Sequence, residues 1–235
     1  MKKTALITGA SKGIGFAIAN AVAPHFENLI LVARNKENLE KAAAKLSSKN
    51  VVILTADLED EKEIEKIAGY VHKEYGSLDL LVNDAGAYIG KTFEKNVTEE
   101  ISRLINLNLR AYALLTNQLL PALFKGQDAQ IINISSAAAT DQTIGEAVYA
   151  ATKAGVSAFS NILRKELNSK GIRVTAIQPW GVDTYEVPMP DQLLNPDEIG
   201  TVVEFILLAP PTTQIDLIEL SHIKQWRGTK PPWVA

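Results

Sequence analysis

The chain has 235 residues, is 46% hydrophobic, and carries 24 Lys and Arg against 27 Asp and Glu, a formal charge of -3. It is long enough for a substantial core, and its balance gives no electrostatic footprint for nucleic acid or an anionic membrane. The absence of cysteine excludes disulfides and thiol chemistry, and His25, His72 and His222 are too far apart for ligand spacing, so no metal site is expected.

The opening "MKKTALI" stops at Thr8-Gly9, too short for the apolar region of a signal peptide, and no apolar run reaches membrane-spanning length. A soluble cytoplasmic protein is the expectation. Short apolar strands are predicted at 4–8, 29–33, 51–56, 79–83, 130–135, 173–178 and 215–220. Helical patterns lie between them, at 13–23, 36–47, 60–75, 98–124, 146–169 and 196–208. Most of the strand candidates are continuously apolar, as expected of strands covered on both faces. Repeated β-α-β order predicts an α/β fold: a doubly wound, seven-stranded parallel sheet with helices on both faces, forming one domain over 1–235. Ligands of such sheets bind beyond the carboxyl ends of the strands, near the point where strand order reverses.

The first strand is followed by "TGASKGIG", where Gly9, Gly13 and Gly15 let the backbone turn towards a pyrophosphate at a helix N-terminus. The second is followed by Arg34, with no acid in the place that would bind a ribose 2′-hydroxyl. Arg34 and Lys12 suit a 2′-phosphate instead, which favours NADP(H) over NAD(H). Asp57 follows the third strand, and "NDAG" (Asn83 to Gly86) the fourth. The fifth ends in Ser135-Ser136, and Tyr149 and Lys153 then come at i and i+4, on one helix face. An ammonium beside a phenol favours its ionised form, so that Tyr149 can exchange a proton with a carbonyl or alcohol oxygen.

Taken in order, TGxxxGxG at 8–15, Asp57, NDAG at 83–86, Asn108 in "NLNL", Ser136, Tyr149 and Lys153 resemble the short-chain dehydrogenase/reductase family in its common single-domain form. The resemblance implies a Rossmann fold and an NADP(H)-dependent oxidoreductase, with Asn108, Ser136, Tyr149 and Lys153 as its catalytic set. It implies a cofactor lined by Gly9, Ser11, Lys12, Gly13, Ile14, Gly15, Arg34, Asp57, Leu58, Asn83, Ala85, Gly86, Tyr149, Lys153, Pro179, Val182 and Thr184. Ser136, Ala137, Tyr149 and Trp180 are expected in the substrate pocket, with Ser135 behind Ser136. Lys153 would also hold the nicotinamide ribose, and Asn108 a proton-relaying water, unless Asn108 only kinks its helix. A small carbonyl or alcohol substrate and a homodimer or homotetramer are implied. Narrower readings are a 3-oxoacyl or sepiapterin-like reductase, and a contrasting one is an NADP-binding sensor without turnover.

Three departures from the family pattern stand out. Asp84 replaces an asparagine and is expected to point away from the phosphates. Trp180 stands where the family's P-G-x-V-x-T has glycine, and is expected to border the substrate side of the cleft, with negative φ. The lid near 185–195 is short and proline-containing, hence extended, and the tail at 221–235, with Trp226 and Trp233, is atypical.

Overall fold

The computed structural model describes residues 2–48, 50–141, 143–184 and 190–224, and strand and helix alternate along it. The first half runs β1 (Thr4–Thr8), α1 (Gly13–Val22), β2 (Asn28–Ala33), α2 (Lys36–Ala43), β3 (Asn50–Thr55), α3 (Glu61–Glu74), β4 (Leu80–Asn83) and α4 (Thr98–Ile105). A wide π turn at Asn106–Arg110 leads into α5 (Ala111–Leu123). β5 (Gln130–Ile134), α6 (Ala147–Leu167), β6 (Arg173–Pro179), α7 (Pro196–Leu208) and β7 (Leu217–Leu220) complete the order. The seven strands pair in parallel as β3-β2-β1-β4-β5-β6-β7, the doubly wound arrangement that the sequence predicts. Strand order reverses between β1 and β4.

The continuous apolar runs follow from this placement. Successive strand residues face opposite sides of the sheet. Leu6, Ile30, Val32, Leu81, Ile131 and Val174 join the core beneath α3, α5 and α6. Their neighbours Ile7, Leu29, Leu31, Leu80, Val82, Ile132 and Ile177 join the core beneath α1, α2 and α7. Each fully buried side chain of this size contributes about 1.5–3 kcal/mol, so both faces must be apolar. The edge strands β3 and β7 are only partly covered, and β7 begins at Leu217 rather than at 215.

Local signals set the helix ends. Asn35, Asp60 and Asn195 each accept a backbone N–H at the start of α2, α3 and α7, and Glu198 completes a capping box with Asn195. Gly171, at φ 79°, sits in the left-handed conformation that stops the chain after α6. α1 differs, because Lys12 at its N-cap makes no side-chain cap.

The single helix expected at 98–124 is interrupted by the π turn, and Asn108 is the reason that the turn matters. Fully buried, it accepts the Ala87 N–H at 2.8 Å, and its amide donates to the Ala87 carbonyl at 2.9 Å and the Thr152 hydroxyl at 3.3 Å. It both sits in the π turn and clasps the segment that leaves β4.

These contacts generate two predictions. A Cβ on Gly200 would lie 2.7 Å from the Ala17 carbonyl oxygen, where α7 crosses α1. Gly200→Ala therefore costs about 1–3 kcal/mol through overpacking and lowers the thermal midpoint. Asn108→Ala strands both backbone groups of Ala87 and costs about 1–3 kcal/mol, read as a lower urea midpoint at unchanged m-value.

Candidate active site

The carboxyl ends of the central strands open into a cleft of about 630 Å³. The glycine loop between β1 and α1 forms one wall, with Gly9 at φ 71° and Gly13 at φ 58°. Side chains are strained at these angles, and a Cβ on Gly9 would also lie 2.7 Å from Asp84 Oδ2. Ser11, Lys12, Gly13 and Ile14 bring the uncapped N-terminus of α1 to the cleft, which leaves backbone N–H groups and the positive end of a helix for an anion.

Beyond β2 the wall is formed by Ala33, Arg34, Asn35 and Asn38, with no carboxylate among the described residues there. Arg34 and Lys12 are both exposed there. Leu58 lines the cleft, but Asp57 is not part of the wall, and its Oδ1 accepts the Glu59 N–H at 3.0 Å. After β4, Ala85 and Gly86 line the cleft. The side chain of Asn83 does not reach it. Asn83 points along the sheet, donating to Asn133 Oδ1 at 2.8 Å and Thr116 Oγ1 at 3.1 Å, so it braces β4 against β5 and α5. Strand alternation explains this: the last strand residue is committed to the interior and the next ones to the cleft.

At the other end, α6 presents Tyr149 and Lys153 on one face. Lys153 is buried, donates from Nζ to the Ile134 carbonyl at 2.8 Å, and lies 5.6 Å from the Tyr112 ring centroid and 5.9 Å from that of Tyr149. Burial pushes its pKa down to about 8, and Asp84 opposes the shift. Tyr112, sealed beneath, is pushed well above the usual phenol value by burial first, then by Asp84 and Tyr149. A Cβ on Gly86 would stand 3.2 Å from Asn108 Oδ1 and 3.8 Å from Lys153 Nζ, so the absent side chain lets both groups converge there.

The two serines part ways. Ser136 and Ala137 line the cleft, whereas Ser135 is buried, donates to the Lys153 carbonyl at 2.8 Å and contacts the Ser157 hydroxyl. Trp180, partly buried, also lines the cleft, with Pro179, Val182 and Thr184 beside it. Its backbone N–H donates to the Leu220 carbonyl at 2.8 Å. Among the described residues Asp128 is the one non-glycine with positive φ, so Trp180 takes an ordinary backbone conformation. A short bridge from Val182 to Leu194 pins the base of the lid, and Pro190–Gln192 form a 3₁₀ turn. The rest of the lid, 185–189, and the tail with Trp226 and Trp233 lie outside the described residues.

Asp84 does not turn away from the loop. Its backbone N–H is tied to Thr8 Oγ1 at 3.0 Å, and Oδ2 faces the Cα positions of both Gly9 and Gly15. The residue keeps some exposure, but its carboxyl is enclosed by the loop. Burial pushes its pKa up to about 7, against the opposing pull of the Lys153 ammonium and a hydrogen bond from the Gly15 N–H.

Sequence reasoning missed a cluster on the far wall. The ring of Tyr88 packs edge-on against Tyr149 at 5.0 Å, and its hydroxyl donates to Glu146 Oε1 at 2.8 Å. Thr143 donates to the other Glu146 oxygen at 2.6 Å. The available signal was an acid three residues before Tyr149, at the start of its helix.

The sequence matches the short chain dehydrogenase family over residues 3–189. It is 30% identical over 225 residues to an uncharacterized oxidoreductase of Staphylococcus aureus (strain USA300), covering 94% of this chain and 97% of that one. The structure is similar to an alcohol dehydrogenase from the archaeon Thermococcus sibiricus complexed with 5-hydroxy-NADP. That similarity has a TM-score of 0.88 and 28% identity, covering 95% of this chain and 98% of the other. A metagenomic short-chain oxidoreductase in complex with NADP matches with a TM-score of 0.82 and 27% identity, over 93% and 97% of the two chains. A matched family profile, a relative aligned nearly end to end and a shared doubly wound sheet agree: the chain belongs to the short-chain dehydrogenase family of oxidoreductases.

Proposed function

We propose that the protein is an NADP(H)-dependent reductase of a small, uncharged ketone or aldehyde. The observation that carries this reading is the convergence, in one cleft, of an uncapped glycine-loop helix with Ser136, Tyr149 and the buried Lys153. The open helix end and the glycine cradle fit a dinucleotide diphosphate, and Arg34 with Lys12 fit a 2′-phosphate. The solved relatives complexed with NADP or 5-hydroxy-NADP support the same cofactor. When bound, the nicotinamide supplies the reducing equivalent.

The chain's own groups supply position and the proton. Lys153, held by the Ile134 carbonyl, keeps a positive charge below the Tyr149 ring at neutral pH. That charge stabilises the phenolate left when Tyr149 gives its proton to the carbonyl oxygen. Ser136 steadies the same oxygen by hydrogen bond as charge builds on it. Tyr88, anchored by Glu146, fixes the tilt of the Tyr149 ring from the side facing the substrate. Asn108 holds the Ala87 segment beside Lys153, where a relaying water would be placed.

The far wall supports an uncharged substrate. Ala137, Ala138, Ile89, Leu193 and Trp180 are apolar, and apart from Lys153 the charged groups among this wall's described residues are Asp141 and Glu146. Among the described residues of this wall, a 3-oxoacyl substrate on a phosphate-bearing carrier finds no cation besides Lys153, and Arg103, which also lines the cleft, is paired with Glu59.

A panel of ketones, diketones, aldehydes and quinones, followed by loss of reduced-nicotinamide absorbance, tests the reading. Wild type turns over at least one member with NADPH, and Tyr149→Phe lowers kcat by a factor on the order of 10²–10⁴ while still binding NADPH. Binding without turnover across the panel points instead to a sensor. NADPH is expected to bind more tightly than NADH, and equal affinities remove the role given to Arg34 and Lys12.

A further inference from the structure

Asp84 is a partly buried ionisable side chain at the cleft that the proposed chemistry leaves unused, and it occupies a costly position. A Cβ on Gly9 or on Gly15 would each stand 2.7 Å from its Oδ2, and the Gly15 N–H offers it a hydrogen bond. Gly15 is the third residue of α1, so Asp84 reaches across from the end of β4 to the helix terminus that Lys12 leaves uncapped. Its own N–H and that of Ala85 are both held by Thr8 Oγ1, at 3.0 and 3.1 Å, which fixes the backbone from which the carboxyl projects.

We propose that Asp84 is a positioning residue of the cofactor site: its carboxyl pins the glycine loop to β4, and its charge sets how tightly that loop takes a dinucleotide diphosphate. This inference rests on the cofactor reading above. A neutral carboxyl accepts the Gly15 N–H and leaves the positive helix end to the diphosphate. An ionised one places a like charge at the same helix end and competes for it. Among the described residues, the titratable groups that act on Asp84 are Lys153 from α6 and Tyr112 from α5, and the Gly15 backbone of the glycine loop lies against it; Tyr149 and Lys12 line the same cleft. Lys153 is the cation that favours the ionised form. Burial outweighs it and brings the transition to about pH 7.

The sign for the cofactor-free protein follows from the same shift. Folded Asp84 keeps its proton up to about pH 7, whereas a free carboxyl releases it near 3.8. Between these values the folded state binds more protons, so this group's contribution to stability falls as pH rises through the window and is then constant. Removing the charge abolishes that loss.

The test uses the full chain carrying Asp84→Asn, which keeps an acceptor for the Gly15 N–H without the charge. Thermal midpoints without cofactor are measured from pH 5 to 8.5, and Kd values for NADPH and NADH by nicotinamide fluorescence over pH 6 to 8.5. The variant's midpoint should gain on wild type as pH rises to about 7, and more slowly to about 8, because without the Asp84 charge Lys153 gives up its proton earlier. Wild type should lose affinity for both dinucleotides relative to the variant, by about tenfold across the range. Titration of the 2′-phosphate is common to both proteins and absent in NADH, so it cannot produce the difference. Parallel profiles in both measurements overturn the role of Asp84 while leaving the cofactor reading standing. Failure of wild type to bind either dinucleotide at any pH overturns both. Should the Asn variant not fold, Asp84→Ser, also uncharged and smaller, takes its place: diverging profiles support the role of Asp84, and parallel ones overturn it.

Discussion

A buried ammonium organises this molecule. Lys153 is 4% exposed, and a cation taken out of water needs compensation from every side. It receives a hydrogen bond acceptor from the end of β5, the faces of Tyr112 and Tyr149, and the electrostatic pull of Asp84 beyond β4. Tyr149 shares α6 with Lys153, but the other three come from different parts of the chain, and each can reach Lys153 only if the sheet order and the helix docking are correct. The Ser135 hydroxyl, bonded to the Lys153 carbonyl, locks α6 against the same strand end. A misplaced helix would leave the charge uncompensated, so this contact couples the fold to the cleft.

The second constraint is the crowding of backbone where strand order reverses. β1 and β4 are neighbours whose chains leave in opposite directions, and their exits lie within contact distance. Gly9, Gly15 and Gly86 all stand where a Cβ would meet a side chain or backbone at 3.2 Å or less. The space saved is what allows the glycine loop, Asp84, Asn108 and Lys153 to share one small volume. Asn108 extends this arrangement from below, since the π turn between α4 and α5 brings its amide to the Ala87 backbone.

The two ends of the cleft differ in chemistry because different neighbours build them. Towards β2 it carries exposed cations and helix-terminal N–H groups, and towards α6 it is apolar with a buried acid held by two hydroxyls. Trp180 belongs to the second end. An ordinary backbone conformation suffices for it there because β7 holds its N–H, so bulk replaces glycine without strain.

Much of this was legible in the chain itself. Two-sided burial forces continuous apolar strands, so the runs from Thr4 to Leu220 reveal a parallel doubly wound sheet, and glycine, proline and capping residues mark its helix ends. The residues after each strand could be named because the carboxyl ends of parallel strands lie on one edge. Pairing geometry in three dimensions decided the rest. Whether Asn83 faced cleft or sheet depended on which side of β4 met Asn133 and Thr116. The π turn that splits the predicted helix at 98–124 coincides with the point where Asn108 meets a segment 21 residues away. The inward turn of Asp84, and the Tyr88 and Glu146 pair beside Tyr149, likewise depend on contacts between distant segments. Periodicity and spacing record local backbone preference and burial, whereas the direction and ionisation of a side chain are set by neighbours that only the folded sheet brings together.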